Sequence, residues 1–245
     1  MSALLNSILA TLAVSAVSLV GILFIRSRPR TERSEIRLLG FAAGVLLAAA
    51  FLELIPEAVE EAGDGSNPLV ASLAAMVAFF FLEQVLQGFH VHEGHAPATS
   101  SYLILIGDGV HNLVDGVIIA AAFVADPSLG VATTIAVLAH EIPQEVADYG
   151  ILVSGGFTPR RALSLNFASG LLAVVGAVVT VALGDVVEDR VAFFVAATAG
   201  MFIYIAAADL IPRIHSRHTE RAAAYGPYFL TGVGVVALLT ALVPE

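Results

Sequence analysis

The sequence predicts an all-α membrane protein of eight transmembrane helices. Spans one to three and six to eight form an inverted repeat around a central helix pair, spans four and five. Three observations predict this. Of 245 residues, 58% are hydrophobic and only 13% charged; a soluble domain carries about 25% charged residues, so too little polar surface exists to cover a water-soluble globule of this size. Eight apolar segments reach the roughly 20 residues that a helix needs to cross a hydrocarbon core of about 30 Å. Ten of the eleven basic residues, all arginine, fall on one side of that eight-span arrangement, the positive-inside pattern.

The spans, taken in order, cover about 2–25, 36–58, 68–89, 101–124, 129–154, 159–182, 191–212 and 224–243 of one polytopic domain, 1–245. The first has no basic leader and its apolar run is too long for a signal-peptide core, so it is read as a span. "RSRPRTERSE" and "EEAGDGSNP" bound span two. Residues 90–100 form a loop after span three, and "ADPSLG", "GGFTPRR", "LGDVVEDR" and "RIHSRHTERAAAYGP" supply the later breaks. Lone apolar runs of this length are helices because a helix pairs its own backbone groups in lipid.

Arginine sets the orientation. Arg26, Arg28, Arg30, Arg33 and Arg37 follow span one, Arg160 and Arg161 follow span five, and Arg213, Arg217 and Arg221 follow span seven; Arg190 alone lies opposite. Both termini are therefore expected on the non-cytoplasmic face of a cell membrane, inner or plasma. Glu57, Glu60, Glu61 and Asp64 gather on the outer side, either as a solvated loop end or as a lure for cations at an entrance.

Composition excludes several functions. The chain has no Cys, hence no disulfide framework or thiolate metal site. It has no Lys, hence no Schiff base. A net charge of −10 argues against nucleic acid. Span two reads "AGVLLAAAFLELIP", 43–56, and span seven "AGMFIYIAAADLIP", 199–212. Each has Ala-Gly, eight residues, an acid (Glu53 or Asp209) and Leu-Ile-Pro. The two spans run in opposite directions, as in transporters built on inverted repeats around a midplane site.

Spans four and five carry "HNLVDG", 111–116, and "HEIPQEVAD", 140–148. Asp108, His111, Asn112 and Asp115 share one helical face, as do His140, Glu141, Gln144, Glu145 and Asp148. The short connection makes the spans antiparallel neighbours, so these faces can converge. Carboxylates at bilayer depth are costly unless paired or functional, and every arginine sits at a loop or helix end. A bound cation is the missing charge. Imidazole, carboxylate and amide oxygen suit zinc, iron or manganese, and neither motif offers sulfur for Cu(I). Asp115 and Gln144 lie between the histidine pair and the Asn112/Glu141 pair, which places them to bridge two ions. A single membrane histidine is more often a hydrogen-bonded interior group, and Asp, Glu and His chains also relay protons; two spaced His pairs with adjacent Asn112 and Glu141 favour metal. Pro143 bends span five, and the carbonyls it frees face either a cavity or ordinary helix packing.

These motifs, with the preceding "GDG" at 107–109, resemble the ZIP (Zrt/Irt-like protein) family of divalent-metal transporters. The likeness is to the branch with His-Asn-x-x-Asp-Gly in span four and His-Glu-x-Pro-His-Glu-x-Gly-Asp in span five. The resemblance implies an importer of zinc, or of iron, manganese or cadmium, into the cytoplasm, with a binuclear centre between spans four and five. It implies His111, Asp115, His140 and Gln144 at the first ion, and Asn112, Asp115, Glu141 and Gln144 at the second, with Asn166 as a span-six candidate. It also implies elevator-like motion and homodimers. Gln144 replaces the branch's His, Ala147 its Gly, and Glu53 a span-two His found in many relatives. Asp108, Glu145, Asp148, Glu53 and Asp209 are further candidates for the pathway. The "HVHEGH" tract, with His90, His92 and His95, and His215 with His218 in the other cytoplasmic loop, either hold an exiting metal or are incidental.

Two rivals from other classes remain. An intramembrane zinc hydrolase would use His-Glu-x-x-His with Glu as base; Gln144 stands in place of the second His and Pro143 deforms the turn, so no enzyme is expected. A proton-coupled carrier without metal explains the buried acids but not the convergent His, Asn and Gln.

Overall fold

The computed structural model describes residues 3–21, 32–62, 67–90, 98–184, 190–217 and 225–242. Among them the chain forms helical rods and no strand. We number them α1 (Ala3–Val17, ending in a 3₁₀ turn Ser18–Gly21), α2 (Glu32–Ala49, a π turn Ala50–Leu54, then Ile55–Glu60), α3 (Pro68–His90) and α4 (Thr99–Ala125). Then follow α5 (Pro127–Ser154), α6 (Pro159–Gly170 and Leu172–Leu183), α7 (Val191–Tyr204, a π turn Ile205–Leu210, then Ile211–Arg217) and α8 (Gly226–Leu242).

Each rod falls on one predicted segment. By length and composition alone, five stretches qualify to cross a membrane: Ile36–Glu60, Pro68–Leu86, Thr99–Ala125, Pro159–Leu183 and Val191–His215. Ala3–Val17 and Gly226–Leu242 are apolar but shorter. Pro127–Ser154 has 28 residues and its apolarity is diluted by Glu141, Glu145 and Asp148.

Local chemistry sets the boundaries. Asp126 caps α5 by accepting from the amides of Ser128 (2.8 Å) and Leu129 (3.3 Å), with Pro127 as first helical residue. That cap starts the helix two residues before the sequence-based boundary. The Ser128 hydroxyl, which also donates to this carboxylate, and then the two amides hold the exposed Asp126 carboxyl below its ordinary pKa. Thr158 and Pro159 open α6 in the same way.

The repeat is visible in packing. α2 packs on α8, and α7 on α3; these pairs exchange when α2 is matched with α7 and α3 with α8. Gly44 and Gly200, the repeat glycines, lie at the two contacts. A side chain on Gly44 would strike the Phe229 backbone of α8, and one on Gly200 the Ser72 backbone of α3. Both partners also contain a π turn at the same place, each holding the repeat's acid, Glu53 or Asp209. Pro56 and Pro212 follow; a proline lacks the amide for the bond four residues back, and the wider π turn absorbs that gap.

α1, α4, α5 and α6 pack around one another, while α2, α3, α7 and α8 form the other group. The groups meet where α2 touches α5 and α7 touches α4. The large apolar core occupies that junction, with Leu39, Leu46, Leu103, Ile104, Ile151 and Phe202 buried in it. α3 keeps Leu69, Val70, Leu73 and Phe81 exposed, as a lipid-facing helix would.

Candidate metal centre

α4 and α5 lie against each other, and their polar faces meet inside the bundle. His111 and Asp115 stand one turn apart on α4; His140 and Glu141 are adjacent on α5. Their donor atoms all lie within 4.8 Å of one another. His111 Nε2 is 3.2 Å from Glu141 Oε1 and 3.6 Å from Asp115 Oδ2. His140 Nε2 is 3.4 Å from Asp115 Oδ2 and 4.0 Å from Glu141 Oε1. Zinc with bonds of about 2.0–2.1 Å gives a tetrahedral edge of roughly 3.4 Å, so four donors at these spacings nearly describe the shell of one ion. They are poor as a hydrogen-bond network: both His111 nitrogens and both Glu141 oxygens are buried without a hydrogen-bond partner.

His140 has a second neighbour. Its Nδ1 lies 2.5 Å from Glu53 Oε1, on the π turn of α2. A proton on Nδ1 donated to Glu53 leaves the Nε2 lone pair facing Asp115 and Glu141. A metal-binding histidine commonly has such a carboxylate on its far nitrogen. The turn that Pro56 follows thus carries an acid from the second helix group to the back of His140.

A cavity of about 610 Å³ leads to the cluster. Glu53, Glu57, Glu60 and Glu61 line one side, α5 residues such as Ala132, Thr133 and Ala136 the other, and His111, Asp115 and His140 its inner end. Glu57, Glu60 and Glu61, grouped by the sequence reading, therefore border this cavity; Asp64 lies outside the described residues. Helical pitch puts Glu53, Glu57 and Glu60 on one face of α2.

The remaining candidates divide. Asn112 is buried and its Nδ2 donates to Asp108 Oδ1 (2.8 Å) and Asp108 O (3.1 Å); its Oδ1 has no partner. Gln144 is buried on the same α5 face and its Nε2 has no partner. Asn166 of α6 is buried against Glu145, donating from Nδ2 to the Glu145 carboxylate and to its carbonyl (3.3 Å). Asp148 is buried beside the Asp108 carboxyl, and neither of its oxygens accepts from an N–H or hydroxyl donor. Asp209 pairs with Arg213 at 3.3 Å, and Arg213 also donates to Ser100 Oγ at 2.7 Å; the repeat's second acid therefore has a basic neighbour and stands apart from the histidines. His215 contacts the Tyr225 hydroxyl. The side chains of His90, His92, His95 and His218 lie outside the described residues.

Sequence reasoning missed Ser18, whose hydroxyl donates to Glu145, and the contact between the Tyr204 hydroxyl and Glu83. Serines in membrane helices carry no distinguishing signal. Glu83 did carry one, as the lone acid of α3.

A family model described as "ZIP Zinc transporter" matches residues 1–101 and 89–240. Zinc transporter ZIP10 of Danio rerio is 34% identical over 150 residues, covering 58% of this chain and 18% of the relative. Zinc transporter ZIP6 of Homo sapiens is 34% identical over 141 residues, covering 57% and 19%. Zinc transporter ZIP4 of Mus musculus is 41% identical over 120 residues, covering 49% and 18%. The chain spans about a fifth of the length of these curated relatives.

Proposed function

We propose, from the premise that this chain belongs to the ZIP zinc transporter family, that it carries a divalent metal ion, zinc foremost, across a cell membrane into the cytoplasm. The observation that carries this reading is the buried His111–Asp115–His140–Glu141 cluster at the inner end of an acid-lined cavity. Divalent ions arriving through the cavity gain attraction from Glu57, Glu60 and Glu61, and at its end exchange water for imidazole and carboxylate. Iron, manganese and cadmium suit the same donors.

The finer reading has eight spans and both termini outside. It has two ions: one on His111, Asp115, His140 and Gln144, the other on Asn112, Asp115, Glu141 and Gln144. The division of the helices into two groups supports an elevator motion, in which α1, α4, α5 and α6 carry the ions past a scaffold of α2, α3, α7 and α8. A scaffold helix that leaves apolar side chains exposed, as α3 does, also suits a homodimer. The chain is read as a carrier and not an enzyme, because Gln144 stands where the His-Glu-x-x-His of a zinc hydrolase has its second His.

Radiolabelled zinc uptake into proteoliposomes tests the proposal, with cadmium, iron and manganese as competitors. His140→Ala is expected to abolish uptake, and Glu141→Ala to slow it. Unaltered flux in both variants overturns the assignment. Proton flux that persists with no metal uptake would make the protein a proton carrier.

A further inference from the structure

We propose that Arg213 is a latch: by joining Asp209 of α7 to Ser100 of α4 it holds the α4–α7 seam closed while the α2–α5 seam stands open to the histidine cluster. The inference rests on reading the chain as a carrier built of two helix groups. It deepens that reading by naming the contact that motion has to break at the end away from the cavity.

The two seams are related by the repeat. α2 and α7 are its matched helices, and each touches one helix of the central pair, α2 on α5 and α7 on α4. The first seam borders the cavity, with Glu53 of α2 beside His140 at the inner end. The second seam is filled. The Phe202 ring of α7 lies 5.5 Å from the His111 ring of α4. One turn back along α4, Gly107 faces the side chains of Met201, Phe202 and Ile205. Leu103, Ile104, Phe202 and Ile205 are fully buried. An apolar wall thus separates the histidines from the first turn of α4.

Beyond that wall the seam turns polar. Ser100 lies eleven residues before His111, and Arg213 eleven residues after Phe202, about 16 Å along each helix at 1.5 Å per residue. Ser100 is 1% exposed. Arg213 Nη1 donates to Ser100 Oγ at 2.7 Å and stands 3.3 Å from Asp209 Oδ2. The Asp209–Arg213 pair alone is an ordinary ion pair between residues four apart on one helix. The bond to Ser100 differs, because it crosses from the scaffold group to the group that holds the cluster. The two acids of the repeat therefore reach that group by different means: Glu53 touches His140 directly, and Asp209 steadies the arginine that touches Ser100. Sliding α4 along α7 has to break the arginine bond. A hydrogen bond to a charged group shifts an equilibrium by roughly 10–100-fold, enough to set which position dominates.

The test is cysteine labelling. The chain has no cysteine, so Ile205→Cys places a single thiol inside the closed seam. The full chain in lipid nanodiscs is treated with a membrane-impermeant maleimide. Labelling is expected to be slow, at a rate set by the population with the seam open. Adding Ser100→Ala is expected to speed it about tenfold, and so is adding Arg213→Gln. Both changes together should be no faster than the faster one alone. Ser72→Cys supplies the control: Ser72 is buried where α3 meets α7 inside the scaffold, and its labelling should not respond to Ser100→Ala. Ser100→Ala removes only a hydroxyl, so it decides the matter if Arg213→Gln does not fold. The proposal is overturned if neither change alters labelling at Ile205→Cys, if their effects multiply, or if Ser72→Cys accelerates equally. Zinc uptake by the unmodified chain in proteoliposomes reads the carrier assignment separately. Its absence strikes that assignment while the labelling contrast still decides the latch; uptake with unaltered labelling strikes the latch alone.

Discussion

His140 is engaged through both ring nitrogens, and each engagement has a different consequence. Nε2 faces the shared space with Asp115 and Glu141; Nδ1 faces Glu53. Glu53→Gln keeps a side chain of the same size but removes the charge that holds the ring proton on Nδ1. Metal affinity at the cluster is expected to fall by about 10–100-fold, less than for His140→Ala, as measured by zinc calorimetry on the purified protein. Equal affinity to wild type would mean that Glu53 only lines the cavity. Gln144→His restores an imidazole beside the cluster and is expected to shift preference towards zinc over manganese in a competition uptake assay; an unchanged ranking would remove Gln144 from the coordination shell. At this scale the sequence was informative where spacing alone decides neighbours, as for His111 and Asp115 or His140 and Glu141. The Glu53–His140 contact was not legible, since it depends on how α2 packs on α5. Nor was the partnership of Asn166 with Glu145, because a lone amide in span six has no periodic signature that aims it.

The helices were legible as segments, because each needs its own apolar run and its own break. Their pairing was legible only in part. The Ala-Gly of the repeat reads as two small residues, yet its physical use is backbone contact: α2 on α8 at Gly44 and α7 on α3 at Gly200. Gly44→Leu should therefore force the α2–α8 backbones apart and destabilise the protein by about 1–3 kcal/mol or more, the cost of overpacking. Gly234→Leu, at an α8 position with open space beside it, should be nearly neutral. Thermal unfolding of the two variants in the same detergent checks the contrast, and equal melting points would refute the close-approach account. The cap of α5 behaves differently. The Asp126 carboxyl has a lowered pKa through its bonds to Ser128 and Leu129. A group with a depressed folded value stabilises above its unfolded value, here 3.8, and loses that contribution as pH falls through the folded one. Asp126→Ala should thus melt earlier than wild type at neutral pH, and the gap should close in acid below that range. A gap that is constant with pH would show that ionisation of the cap is irrelevant.

At the scale of the whole molecule, the question is whether the two helix groups move against each other. The cluster draws His111, Asp115, His140 and Glu141 from one group, while Glu53, which touches His140, belongs to the other. Motion of the carrier group would therefore have to break the Glu53 contact, so that an ion leaving the cavity side also leaves behind the carboxylate that orients its ligand. In the proposed elevator motion, release would be coupled to breaking this contact. The α2–α5 seam offers a direct test. A side chain added at Gly150 on α5 would press on Leu38 of α2, so these positions face each other across the junction. The chain contains no cysteine, so a Leu38→Cys, Gly150→Cys pair has no competitor for disulfide formation. Oxidation should stop zinc flux in proteoliposomes and reduction should restore it, while either single cysteine should respond to neither. Zinc binding measured by calorimetry should survive oxidation, because the lock holds the groups where the cavity already reaches the cluster. Full flux through the locked protein would mean that the ion passes a fixed pore and that the two groups need not slide.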